Sequence, residues 1–228
     1  MLFVAAAILG AFAAAGVGAV INSLTGAAIG AVLGTIVSVA HMMLLTRQAQ
    51  SAATTSSSRT PDAFVWLVIA AAVLCGLMAG FFFAFSFLVM RALEVQPGVA
   101  GMPVMQSINV VVFNPVFGFA FSATPAFCVF AMNAALVHRR APVSTYALAG
   151  GALYLVGTLY VTVLGNVPLN DALAAVPATS SGAAEMWATY LREWVPWNHL
   201  RTAAAFIAAA LLTIGIARRG ADRVSSAA

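Results

Sequence analysis

FVWLVIAAAVLCGLMAGFFFAFSFLVM, residues 64–90, carries no charged side chain and a single hydroxyl, that of Ser86. An apolar run longer than about 18 residues reads as a membrane span. In hydrocarbon a helix satisfies every backbone N–H and C=O within its own segment, so it is the structure such a run adopts. The rest of the chain agrees. Of 228 residues, 63% are hydrophobic and 7% charged, whereas a soluble domain needs far more charge to cover its surface. The fold class is therefore all-α: a polytopic transmembrane helical bundle embedded in a lipid bilayer.

Further apolar runs near 111–137, 143–165 and 198–217 complete a four-span core over residues 63–218, with a tail at 219–228. Ahead of it, RQAQSAATTSSSRTPD, residues 47–62, is Ser- and Thr-rich with a helix-stopping Pro61, and reads as a flexible linker. Residues 1–46 read as an N-terminal helical hairpin turning at INSLTG, giving about six spans in all. The first run lacks a basic leader and a cleavage site, so it is expected to be a retained span. In the second, Gly26, Gly30 and Gly34 fall on one helix face and would let another backbone approach closely. They pack either within the hairpin or against a second copy or a membrane partner. Ala72, Gly76, Gly80 and Ala84 repeat the spacing in the first core span, and its phenylalanines are expected to pack or to face lipid. Cys75 and Cys128 fall inside spans, where thiols act as small buried hydrophobes.

The net charge of +4 comes from dispersed arginines without a dense basic stripe, which gives no sign of a nucleic-acid partner. The absence of Lys suggests a GC-rich bacterial genome, hence a bacterial inner (cytoplasmic) membrane. Placing Arg47, Arg59, Arg139, Arg140, Arg218, Arg219 and Arg223 inside leaves Arg91, Arg192 and Arg201 outside, a split of seven against three. The positive-inside rule then puts both termini in the cytoplasm.

Most of the unusual chemistry collects on the other side. The loop 166–197 opens with NVPLND and holds a short helix near 183–194, whose Trp187, Tyr190, Leu191 and Trp194 recur at helical spacing. Such aromatics commonly anchor an amphipathic helix at headgroup depth. Pro196 is expected to begin the last span, placing Arg201 one turn inside it. An Arg there needs a partner or must snorkel outward. Asp171, Glu185, Glu193, Asn109, Asn114, Asn166 and Asn170 are within reach of that surface. Tyr154, Thr158, Thr162 and Asn166 form a polar stripe facing the bundle interior. Asn114, Asn166 and Arg201 are expected to share one outward-facing vestibule, which is either a binding pocket or a network pinning the loop.

GLMAGFFFAFSFLVMRAL (76–93), MQSINVVVFNPVF (105–117), NVPLNDAL (166–173) and WVPWNHLRT (194–202) together resemble the anthrone oxygenase-like family of small four-span membrane proteins. The likeness spans residues 64–218 and leaves the N-terminal hairpin aside. It implies a four-helix membrane core. In some fungal and actinobacterial relatives it implies oxidation of anthrones to anthraquinones without flavin or metal, since the substrate anion can itself react with dioxygen. It also marks Asn166, Asn170, Trp194, Asn198, His199 and Arg201 as motif positions.

Three functions are then open. In an oxidation of a lipophilic aromatic small molecule, His199 would be the general base, because imidazole titrates near neutrality. Arg201 would stabilise the developing oxyanion. Trp194 and Trp197 would stack on the substrate, and Asn109, Asn114, Tyr154, Thr158, Asn166, Asn170 and Asn198 would line its pocket. No cofactor is implied, and no metal site: His41 and His138 belong to the cytoplasmic side and His199 to the other. A membrane scaffold or complex subunit would instead use the small-residue stripes. A transporter is disfavoured, because no span holds an acidic residue for ion coupling.

Overall fold

The computed structural model describes residues 62–225, an all-helical bundle in which four helices are long and apolar enough to cross a membrane. The expected hairpin, its glycine spacing and the linker up to residue 61 lie outside the described residues. Helix α1 runs through Asp62–Ala84, a π-helical turn at Phe85–Val89, and Met90–Glu94. A turn with Gly98 at φ 60° leads to the short α2, Gly101–Val111. Helix α3 is Pro115–Val137. Helix α4 starts as Pro142–Tyr154, passes through π segments Leu155–Tyr160 and Thr162–Asn166, and continues as Val167–Ala174. Helix α5 is Ala183–Ser225, a single run of 43 residues.

The spans are longer than the hydropathy pattern indicates. The expected outer loop 166–197 shrinks to 175–182, because residues 167–174 and 183–197 are helical and continue the neighbouring spans. Pro168 does not end α4, since it falls in the first turn of the renewed α-helix, where a missing N–H is tolerated. Pro196 lies inside α5 rather than at its start. The carbonyl it deprives of a partner is that of Arg192, an exposed residue, so the loss is easily met by solvent. The expected tail is helical as far as Ser225.

Without a hydrophobic drive between helices in lipid, close van der Waals packing and interhelical hydrogen bonds hold such a bundle. The buried stripe of α1 is Phe64, Val68, Ala71, Cys75, Met78, Ala79 and Phe82, meeting Cys128 and Ala131 of α3 and Ala205, Ala208 and Leu212 of α5. Cys75 and Cys128 are free, fully buried thiols with sulfurs 3.6 Å apart. Of the small-residue stripe, Ala72 packs against this core, whereas a Cβ built at Gly76 or Gly80 meets nothing within 4 Å. Closeness is needed instead between α4 and α5, where a Cβ at Gly157 would stand 2.5 Å from the Ala204 methyl.

A second core caps one end. Met90, Leu93, Met102, Met105 and Leu173 enclose Trp187, Tyr190 and Trp194, whose rings stack with successive centroids 5.8 Å apart. These aromatics are buried packing, not the interfacial belt that their spacing suggests. Gln106 Nε2 donates to the carbonyls of Leu173 (2.8 Å) and Val176 (2.9 Å), satisfying the end of α4. Gly215 of α5 packs on Val143 and Tyr146, so Arg139, Arg140, Arg218 and Arg219 gather at the opposite end.

Substituting Gly157→Ala should force α4 and α5 apart and cost roughly 1–3 kcal/mol, read as a lower unfolding midpoint in detergent. Gly76→Ala, facing open space, should be neutral or slightly stabilising by comparison. Equal midpoints for the two variants would contradict the assigned contact.

Candidate functional site

Arg201 is buried within the bundle, 7% exposed, and no carboxylate pairs with it among the described residues. Its Nε donates to Asn198 Oδ1 at 2.8 Å and its Nη1 to Thr162 Oγ1 at 3.3 Å. The guanidinium carbon lies 4.2 Å from the centroid of the Phe82 ring and 5.1 Å from that of Trp194. Desolvated cation–π contacts of this kind contribute up to about 2 kcal/mol each, and they stand beside the amide and hydroxyl where the sequence offered either a loop carboxylate or an asparagine as partner. What meets the guanidinium is a side-chain amide, a hydroxyl and two ring faces.

These partners are themselves held in place. Asn198 Nδ2 donates to the Phe82 carbonyl (2.8 Å) and to Ser86 Oγ (2.7 Å). Ser86 Oγ lies 3.3 Å from Thr202 Oγ1, which donates back to the Asn198 carbonyl at 2.6 Å. The ring of bonds fixes the amide with its oxygen towards Arg201. Thr162 Oγ1 donates to the Thr158 carbonyl at 2.7 Å, so its lone pairs are left for the guanidinium. Thr158 Oγ1 in turn donates to the Arg201 carbonyl at 3.2 Å. Both flanking helices are π-helical here, at Phe85–Val89 and Thr162–Asn166. Residues four apart on an α-helix drift by about 40° per step. The wider π turns offset that drift, which keeps Tyr154, Thr158, Thr162 and Asn166 on one buried face.

Arg201 opens onto a cavity of about 140 Å³. Its apolar wall includes Phe81, Phe82 and Phe85 of α1, Met105 and Ile108 of α2, Phe117 and Phe121 of α3, and Trp194 of α5. Its polar groups are Asn109, Ser122, Thr162, Asn170 and Arg201. A guanidinium has five N–H donors; two are engaged here, leaving three for a ligand. Among the described residues the wall holds no carboxylate, imidazole or thiol. Chemically it is a greasy aromatic slot with one fixed cation.

The residues named from sequence divide accordingly. Asn109, Asn170, Trp194 and Arg201 line the cavity. Asn198 and Thr158 support it from behind through the bonds above. Asn166 lies behind Trp194, its Nδ2 donating to the Trp194 carbonyl at 3.2 Å, while Tyr154 sits deeper in the packed core. Asn114 is an exposed cap of α3, its Oδ1 accepting from the backbone N–H of Val116 and Phe117. Asn114, Asn166 and Arg201 therefore do not share one vestibule. Trp197 is 42% exposed and lies against Gly165 rather than in the cavity.

His199 departs most from expectation. Two residues along a helix turn the side chain about 200°, so His199 and Arg201 face opposite ways. The imidazole stacks on Phe87, centroids 5.2 Å apart, and borders a separate cavity of about 670 Å³ with Arg91, Glu94 and Arg192. The residues that sequence reasoning missed are Ser86, Phe81, Phe82 and Phe85. Ser86 had a usable signal, being the lone hydroxyl in its span.

Residues 112–211 match the family model described as anthrone oxygenase, so this stretch is similar to that family. The matched stretch holds Thr162, Asn170, Trp194, Asn198 and Arg201, while Phe82, Ser86 and Asn109 come from the residues before it. Comparison with curated proteins and with solved structures gives no match.

Asn198→Ala would strip Arg201 Nε of its acceptor and the Phe82 carbonyl of a donor. A loss of about 1–3 kcal/mol is expected for leaving such groups unsatisfied, measured by denaturation in detergent micelles. Unchanged stability would show that this amide does not hold the guanidinium.

Proposed function

We propose that the cavity oxidises a lipophilic aromatic substrate with dioxygen, in the manner of an anthrone oxygenase and without a bound cofactor. The observation that carries the reading is Arg201: a buried cation of the matched stretch, with three unused donors, facing an aromatic slot. A cation without a counter-charge binds an anion better than a neutral molecule, and low polarity around it strengthens the attraction. The ligand it suits is the phenolate or enolate of an anthrone-like carbon acid.

Chemistry follows from holding that anion. With no base among the described residues of the wall, the proton leaves to water as the oxygen settles on Arg201, which stabilises the negative charge that remains. The electron-rich carbon of the anion gives electrons to dioxygen and a C–O bond forms, producing a peroxide. Cleavage of the O–O bond, with loss of the remaining proton from that carbon, leaves a carbonyl. One dioxygen is consumed per substrate; one of its atoms stays in the quinone and the other departs as water.

The cavity approaches the roughly 150 Å³ known to hold one benzene ring, so it takes the reacting end of a larger molecule. The rest leaves past Phe113, which is half exposed, and Gly118, where a Cβ would meet nothing. Substrate thus arrives from the lipid at the non-cytoplasmic side of a bacterial inner membrane, the end opposite Arg139 and Arg140.

Scaffolding is the second reading, and one observation favours it: Gly76 and Gly80 present a smooth, uncovered face. If that face assembles copies, detergent-extracted protein will run as an oligomer that Gly80→Leu dissociates. A monomer in both cases removes it.

For the oxidation, protein in lipid nanodiscs with an anthrone should consume oxygen and form the quinone. Arg201→Gln should lower turnover about 10²-fold or more, the usual cost of removing an oxyanion donor. His199→Ala should stay within about twofold, since that imidazole faces the other cavity. Undiminished turnover in Arg201→Gln would overturn the assignment.

A further inference from the structure

We infer that Asn170 is a specificity-determining donor: it takes a second, uncharged oxygen of the ligand whose anionic oxygen rests on Arg201. The inference rests on the reading of the Arg201 cavity given above and adds what else the ligand must carry.

The orientation of the Asn170 amide is decided by its neighbours. Its Oδ1 accepts two hydrogen bonds of 2.8 Å, from the Tyr190 hydroxyl and from Trp194 Nε1. An indole nitrogen only donates, so turning the amide over would set N–H against N–H and waste both contacts. The carboxamide is therefore locked with its nitrogen away from the aromatic stack. Both donors are firmly placed: Tyr190 and Trp194 are buried, stacked on one another, and packed into the second core. A side chain pinned this strongly at one end offers a rigid donor pair at the other.

That other end has no acceptor among the described residues, and Asn170 lines the cavity beside Arg201 and Trp194. Trp194 links the two groups, bonding Asn170 through its indole N–H and lying under the guanidinium with its ring face. The slot thus presents fixed donors at Arg201 and Asn170, with the buried Nδ2 of Asn109 in the same wall, and no carboxylate among the described residues that line it. Water or a ligand atom can meet an unpartnered amide N–H2, but only an acceptor gains from it. The matching ligand carries an anionic oxygen and a separate carbonyl-like oxygen on one ring system. A ligand with the anion alone leaves the Asn170 donors unmet at the cost of a hydrogen bond.

Two ring-sized anions separate these cases. 4-Nitrophenolate has the anionic oxygen and a second oxygen acceptor; 3,4,5-trichlorophenolate has the anion only. Each is titrated calorimetrically into the full-length protein in nanodiscs, at a pH where both are ionised. The variant is Asn170→Asp, which keeps oxygen acceptors for Tyr190 and Trp194 but removes the N–H2. Its added charge weakens both anions, so the readout is the ratio of their affinities, in which charge and lipid partitioning cancel. The ratio should fall about 5–10-fold in favour of the chlorinated ring, the worth of one hydrogen bond. Asn170→Ser, whose hydroxyl still accepts from the stack, should shift the ratio the same way if the aspartate variant does not fold. A ratio unchanged from wild type in a folded variant overturns the inference. Arg201→Gln separates this from the underlying reading. If it weakens both probes while the Asn170 ratio stays fixed, only the second anchor fails; if it weakens neither, the cavity reading itself is wrong.

Discussion

A guanidinium inside an apolar bundle, with no carboxylate beside it among the described residues, is the constraint around which this molecule is built. Removing such a charge from water costs several kcal/mol even after relaxation. The protein offsets the cost with an amide oxygen, a threonine hydroxyl and two aromatic faces, all supplied by elements that cross near Arg201. None of these neutralises the charge. The arrangement keeps the cation stable enough to exist and leaves it unsatisfied enough to bind.

The irregular backbone nearby has the same origin. Asn198 can steady Arg201 only if its nitrogen finds acceptors on α1, and these are the Phe82 carbonyl and Ser86 beside a π-helical turn. Thr162 can accept from Arg201 because its proton is spent on the Thr158 carbonyl, again within a π-rich stretch. Such turns are rare and cluster at functional sites. Here they bring side chains on α1, α4 and α5 to one point. The capping core of Trp187, Tyr190 and Trp194 then closes the space above it and orients Asn170.

The bundle itself was legible because long apolar runs leave helices as the only economical structure. Span ends were not, since Pro168 reads as a stop and Pro196 as a start, while the membrane-protein context tolerates both within helices. The interior stripe from Tyr154 to Asn166 could be read from four-residue spacing, and Arg201 from its cost. The pairing of Arg201 with aromatic faces could not, because Phe82 lies 119 positions earlier and no periodicity links them. Adjacency in WNHLRT suggested a base beside a cation, yet helical geometry turns His199 to the opposite face. Asn114 looked like a ligand group because an Asn before Pro fits both a site and a helix cap; here it is the cap.

An electron-rich ring, a stabilised negative oxygen and exclusion of bulk water suffice for reaction with dioxygen, and the slot lined by Phe81, Phe85, Phe117 and Trp194 offers the setting for them. The proposed oxidation therefore depends on Arg201 being free to take an anion. Determining the structure with 4-iodophenolate bound, and locating the halogen by its anomalous signal, tests this most directly. The account predicts iodine among the phenylalanines, with the phenolate oxygen within hydrogen-bond distance of the Arg201 terminal nitrogens. Iodine found only on the lipid-facing surface, with Arg201 joined to a carboxylate, would contradict it.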